Sequence, residues 1–143
     1  MKILMNPMVL LFSLLIATAA ADPYVVGSTV KPFKANDQHG RAYTFDSKTR
    51  FLLLSEDMKT GKKANAALHK KGKDYFGKKK AAYVANIHGM PGIGRMFAFK
   101  KMKEYDHRII YGDDEGLMKP FPFKEGLVTV LALDSKGKIL RIS

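Results

Sequence analysis

Hydrophobic positions along this chain switch between two rhythms, and the switches outline its elements. In residues 25–33 and again in 42–45, apolar and β-forming residues flank a polar turn of Asp37, Gln38, His39 and Gly40. The two arms predict an N-terminal hairpin. Residues 51–54 are unbroken and apolar, which predicts a central strand buried on both faces. Residues 62–76 carry Ala64, Ala67, Leu68, Tyr75 and Phe76 at helical spacing with lysines opposite, a helix whose second half Gly72 weakens.

A second buried strand is expected over residues 81–87, ending at Gly89. Residues 90–105 predict a helix opened by Pro91, where a missing amide hydrogen costs nothing. Its Ile93, Met96, Phe97, Phe99 and Met102 cover a wide arc, as in a helix lying flat on a sheet. Residues 108–111 form a short strand, and Gly112, Asp113, Asp114, Glu115 and Gly116 an acidic turn. After a loop with Pro120 and Pro122, residues 127–133 and 138–142 flank a turn over 134–137 and predict a closing hairpin. Strands alternating with helices, with an antiparallel hairpin at the end, predict an α/β sandwich.

The first 21 residues change the compartment. Met1 and Lys2 give a short basic start, residues 9–16 are almost wholly apolar, and Ala17, Ala19, Ala20 and Ala21 offer small residues for cleavage. This predicts a signal peptide over 1–21, a mature domain over 22–143 and a periplasmic location. No later stretch approaches the twenty or so apolar residues that a membrane crossing needs. An exported chain normally has access to disulfides, yet this one has no cysteine, so its core alone must hold it.

The order of these landmarks resembles the redoxin branch of the thioredoxin superfamily, which includes peroxiredoxins and exported thiol oxidoreductases. The residues that carry the resemblance are Val26, Gly27, Pro32 and Phe33, the Asp37–Gln38–His39–Gly40 turn, the apolar strand over 51–54, the acidic turn at 112–116, and Gly126 to Thr129 leading into the last hairpin. The resemblance implies a thioredoxin-like α/β sandwich with an N-terminal β-hairpin, a central mixed sheet and a C-terminal β-hairpin, and this chain is expected to depart from it in having no terminal helix. It also puts the family's reactive cysteines at Thr60, Gly61, Lys62 and Lys63, and its substrate-receiving cis-proline at Val128. Thiolate chemistry needs sulfur, so the chain is expected to have lost thiol redox and peroxidase activity. The helix that usually follows the last strand is missing, so part of the sheet face it would share with the 62–76 helix is expected to be bare and open to a partner or a second copy.

The charge supplies the leading site. The formal net charge is +12 at pH 7, and Lys59, Lys62, Lys63, Lys70, Lys71, Lys73, Lys78, Lys79 and Lys80 are interrupted by one acid, Asp74. The surface Lys62, Lys63, Lys70, Lys71 and Lys73 is expected to face an acidic periplasmic protein or an anionic membrane; a solvated face is the plain alternative. Nucleic acid is not expected of an exported chain, and Tyr75 and Phe76 suit a core better than a stacking platform.

Other constellations are weaker. Gly89, Gly92 and Gly94 reverse the spacing of a dinucleotide fingerprint and read as a tight strand-to-helix turn. His39, His69, His88 and His107 are scattered; His88 with Met90, Met96 and Met102 offers copper-like donors, but methionines at this spacing read as core. Glu56 and Asp57 follow the central strand, and one of them could serve as a base, although a helix cap at Asp57 or Thr60 explains the same residues. Asp113, Asp114 and Glu115 lack the alternating spacing of a calcium loop. No catalytic, cofactor-binding or metal-binding residue is expected. The competing reading is an enzyme or carrier that reuses the former active-site mouth for a small ligand or a metal.

Overall fold

The computed structural model describes residues 22–143, and the expected signal segment over 1–21 lies outside the described residues. β1 (Lys34–Asn36) and β2 (Ala42–Thr44) form a two-stranded antiparallel ribbon. β3 (Phe51–Ser55), β4 (Ala81–Asn86), β5 (Ile110–Gly112), β6 (Thr129–Leu133) and β7 (Ile139–Ile142) form a mixed sheet in the order β5-β4-β3-β6-β7. The helices are α1 (Met58–Lys71), α2 (Tyr75–Lys79), α3 (Gly92–Met102) and α4 (Glu115–Met118).

β3, β4 and β5 run parallel, so α1 and α3 lie on crossover connections that step the same way across the sheet. Right-handed crossovers in one direction put both helices on one face. Ala64 and Leu68 of α1 and Met102 of α3 accordingly share a core with Tyr83, Ala85 and Ile87. The other face packs Leu52, Leu54, Val84 and Leu131 against Val30, Phe45, Met118 and Phe121, from the hairpin side, α4 and the loop after it. β6 and β7 close the sheet as the expected antiparallel hairpin, with a register irregularity at Ala132/Leu133.

The N-terminal hairpin is present but shorter than its hydrophobic arms. Its first strand starts at Lys34, and residues 25–33 run as a loop tied to the closing hairpin by Ile139 N–H to Ser28 O at 2.8 Å and Val30 N–H to Gly137 O at 2.9 Å. The turn is held by side chains. The buried Asp37 carboxylate accepts from the His39 and Arg41 amides, both at 2.9 Å, and from Arg108 Nε at 2.9 Å. The Gln38 amide group donates to His107 O at 2.7 Å and accepts from the Ile109 amide at 2.8 Å. Burial opposes ionisation of Asp37, but its amide donors and the Arg108 guanidinium outweigh it and hold the carboxyl below its ordinary range.

The helices depart further from expectation. α1 begins at Met58, four residues before the expected start at Lys62, because Asp57 caps it through an accepted bond from the Thr60 amide at 2.7 Å. It also ends at Gly72, which adopts φ 85°, so 62–76 is one helix, a left-handed break and the short α2. Ala67, expected in the core, is exposed. α3 does not lie flat: only Met102 is fully buried, while Ile93, Met96 and Phe97 are 73, 64 and 66% exposed. The expected core role of Met96 is therefore corrected. The acidic turn is the start of α4, where Asp114 accepts from the Leu117 amide at 2.9 Å.

β3 is buried on one face rather than both. Leu52 and Leu54 are 0% exposed, whereas Phe51 and Leu53 are half-buried. Phe51 pairs with Ala132 and Leu53 with Val130, both half-buried, and Leu140 of β7 is 56% exposed. Among the described residues this strip beside α1 therefore keeps an open side. Leu54→Ala is expected to cost about 2–5 kcal/mol in urea unfolding. Leu53→Ala, on the open side, should cost under about 1.5 kcal/mol. Equal losses would contradict one-sided burial of the central strand.

Candidate functional site

The short β3 strand sets the site. It ends at Ser55, and α1 starts three residues later, so the first turn of α1 sits over the carboxyl ends of β3 and β4, where parallel sheets hold their ligands. Thr60 is 2% exposed and Gly61 is buried, both inside the first turns of α1. Lys62 and Lys63 emerge into solvent. Val128, just ahead of β6, is half-buried against the α1–α3 core, and no cis peptide bond occurs among the described residues.

A cavity of about 360 Å³ opens between α1, the ends of β3 and β4, and α3. Gly61 and Lys62 line it, whereas Thr60, Lys63 and Val128 do not. Met58, Met90, Phe97, Ala98 and Met102 form much of its apolar wall, and Ser55, Asn65 and Tyr83 its buried polar part. Ser55 Oγ and Tyr83 OH lie 2.7 Å apart, and burial pushes the Tyr83 phenol up to about 12, so both hydroxyls are protonated at neutral pH. Asn65 Oδ1 accepts from His107 Nε2 at 2.8 Å. Sequence reasoning missed this cavity, since its walls come from segments some forty residues apart; the signal available was Met58 at the start of α1 together with Met90 ahead of α3 and Phe97 and Met102 within it.

The lysines sit on the outside of the same helix. Lys59, Lys62, Lys63, Lys70 and Lys71 are exposed along α1, and Lys73 and Lys78 to Lys80 are exposed beyond it. None of these nine takes part in an ion pair among the described residues. The pairs found there are Arg95–Asp113 at 2.8 Å, Arg108–Asp37 at 2.9 Å, Lys101–Glu104 at 3.0 Å and His88–Glu115 at 3.7 Å. Asp57 is held below its usual range by the Thr60 amide, as a helix cap, and Glu56 is exposed and does not line the cavity.

Met90 and Met102 line the cavity without a histidine, and no group of three His, Cys, Asp or Glu that could hold a metal occurs among the described residues. Gly89, at φ 80°, makes the tight turn expected between β4 and α3. Among the described residues no helix is long and apolar enough to cross a membrane.

No family model matches this sequence, and no curated protein matches it. Solved structures do. A peroxiredoxin-like protein from Aquifex aeolicus superposes with a TM-score of 0.57 at 9% identity, over 87% of this chain and 78% of that one. The thioredoxin domain of a thiol-disulfide oxidoreductase from Bacteroides vulgatus gives 0.54 at 15% identity, over 84% and 89%. A thio-disulfide isomerase from Thermus thermophilus gives 0.54 at 17% identity, over 84% and 86%. The fold is thioredoxin-like. Those names describe thiol enzymes, whereas this thioredoxin-like chain has no cysteine at all.

One titration lies behind the wall of the site, at His107, which bonds the lining residue Asn65. Burial holds His107 neutral and lowers its pKa from 6.5 to about 4, with His69 adding to the effect. The unfolded chain therefore takes up this proton first as pH falls. The stability contributed by neutral His107 is complete above pH 6.5 and is lost progressively down to about pH 4. Urea midpoints measured across that window should fall for the natural protein and flatten for His107→Gln; identical slopes would show that His107 does not titrate as described.

Proposed function

We propose that this protein is an exported, cysteine-free binding module that holds an anionic partner on the lysine face of α1, which runs from the mouth where its fold relatives keep their thiols to the far end of the helix. One observation carries the reading: nine exposed lysines, none of them ion-paired among the described residues, run from the first turn of α1 along its length and onto the segment that follows it. The N-terminal end of a helix is itself positive, and Lys59, Lys62 and Lys63 add to that end rather than offset it. Such an arrangement weakens the helix slightly and concentrates potential at one place. The half-buried strip of Phe51, Leu53, Val130 and Ala132 offers apolar contact area on the same side of the sheet as α1. An acidic periplasmic protein and an anionic membrane share the required charge, and the test below separates them.

Loss of redox chemistry follows from composition. Disulfide exchange proceeds through thiolate attack on sulfur, and the segment that corresponds to the reactive motif reads Thr60, Gly61, Lys62, Lys63. The purified protein should therefore neither reduce insulin disulfides nor consume peroxide above the rate of a cysteine-free control. Turnover of either substrate would contradict the reading.

Binding should be governed by charge. Polyglutamate and vesicles containing phosphatidylglycerol serve as the two anionic probes. Retention on the physiological class of surface is expected at low salt and released near 1 M salt, where the screening length shrinks to about 3 Å. Replacing Lys70, Lys71 and Lys73 by Gln should weaken retention about tenfold at low salt. Salt-resistant retention, or retention unchanged in the triple variant, would contradict a lysine-face site.

A further inference from the structure

We propose that the cavity between α1 and α3 is a separate site for a medium-chain fatty carboxylate, with the chain inside and the carboxylate at Lys62. Its volume of about 360 Å³ falls within the size range of small-molecule sites. Three methionines, Met58, Met90 and Met102, line it, and unbranched thioethers adapt to flexible apolar ligands. The opening carries apolar surface that the fold leaves uncovered: Met58 is 39% and Phe97 66% exposed, and both line the cavity.

The polar groups choose the orientation. Ser55 and Tyr83 bond each other and Asn65 bonds His107, so the buried wall holds neutral, partnered groups and nothing to compensate a buried charge. The ionic groups in the lining are exposed. Lys101 is tied to Glu104 at 3.0 Å, and Asp57 accepts from the Thr60 amide as the helix cap. Lys62 has no ionic partner among the described residues. A chain inside and an anion outside satisfy both conditions, and the excess positive charge of the protein favours the anion over a neutral head.

Octanoate and 1-octanol, titrated calorimetrically into the purified protein, test this site. Octanoate should bind 1:1 and saturably below about 1 mM. Ala98→Phe, which fills the cavity from α3, should weaken it more than about tenfold. Gly61→Ala provides the same test if that variant fails to fold: the added methyl would lie 3.7 Å from Ser55 Oγ and Tyr83 OH, in ordinary contact, and shrink the cavity without strain. Lys62→Gln should weaken octanoate about threefold to fivefold and leave octanol unchanged. The Lys70, Lys71 and Lys73 triple variant should leave octanoate unchanged, so the cavity and the lysine face succeed or fail separately. The proposal is overturned by absence of saturable octanoate binding, by binding that neither Ala98→Phe nor Gly61→Ala weakens, or by equal losses for octanoate and octanol in Lys62→Gln.

Discussion

Complete burial of Leu52 and Leu54 in β3 is the constraint on which the other features of this molecule depend. These side chains lock β3 between β4 and β6, in registers that pair Leu52 with Ala82 and Leu131. A strand fixed in that way ends at Ser55, and the Asp57 cap then obliges α1 to begin at Met58. The position of the first turn of α1 decides which residues are swallowed by the helix, which lysines reach solvent and where the cavity opens. At that first turn Thr60 and Gly61 are buried, while Lys62 and Lys63 reach solvent.

Two kinds of surface result, and their chemistry differs. The outer face of α1 offers long, flexible, unpaired ammonium groups, which favour attraction to diffuse negative charge over a single geometry. The cavity beneath offers fixed walls and neutral hydroxyl and amide groups, which favour shape and apolar contact. Lys62 belongs to both, as an exposed lysine of α1 that also lines the cavity. The half-open strip over β3 and β6 is a third feature. Along it β6 alternates buried Thr129, Leu131 and Leu133 with half-buried Val130 and Ala132.

Much of the fold was legible from residue pattern because local rules and tertiary packing agree. The Asp37–Gln38–His39–Gly40 turn, the apolar β3, the Asp134 turn and the closing hairpin all combine turn chemistry with β-forming arms. The helices were less legible for physical reasons. Met58 to Gly61 shows no amphipathic stripe, so the start of α1 was visible only through the cap at Asp57. Gly72 was read as a weak point in a helix, yet its positive φ makes it a stop. In α3 the apolar residues point both toward and away from the sheet, and periodicity alone cannot tell a buried arc from an exposed patch. The lysine face was readable because charge is a property of sequence. The cavity was not, since it exists only when Met58, Tyr83 and Phe97 are brought together. The buried links from Gln38 to His107 and from His107 to Asn65 were hidden for the same reason.

The central claim is that function resides in the charge of the α1 face rather than in any group that turns over a bond. Residue-resolved amide shifts, recorded on the isotope-labelled protein during titration with polyglutamate or phosphatidylglycerol vesicles, test it most directly. The account predicts perturbations concentrated along α1 and Lys73 that collapse as salt is raised. Perturbations centred elsewhere, or unchanged at high salt, would contradict it.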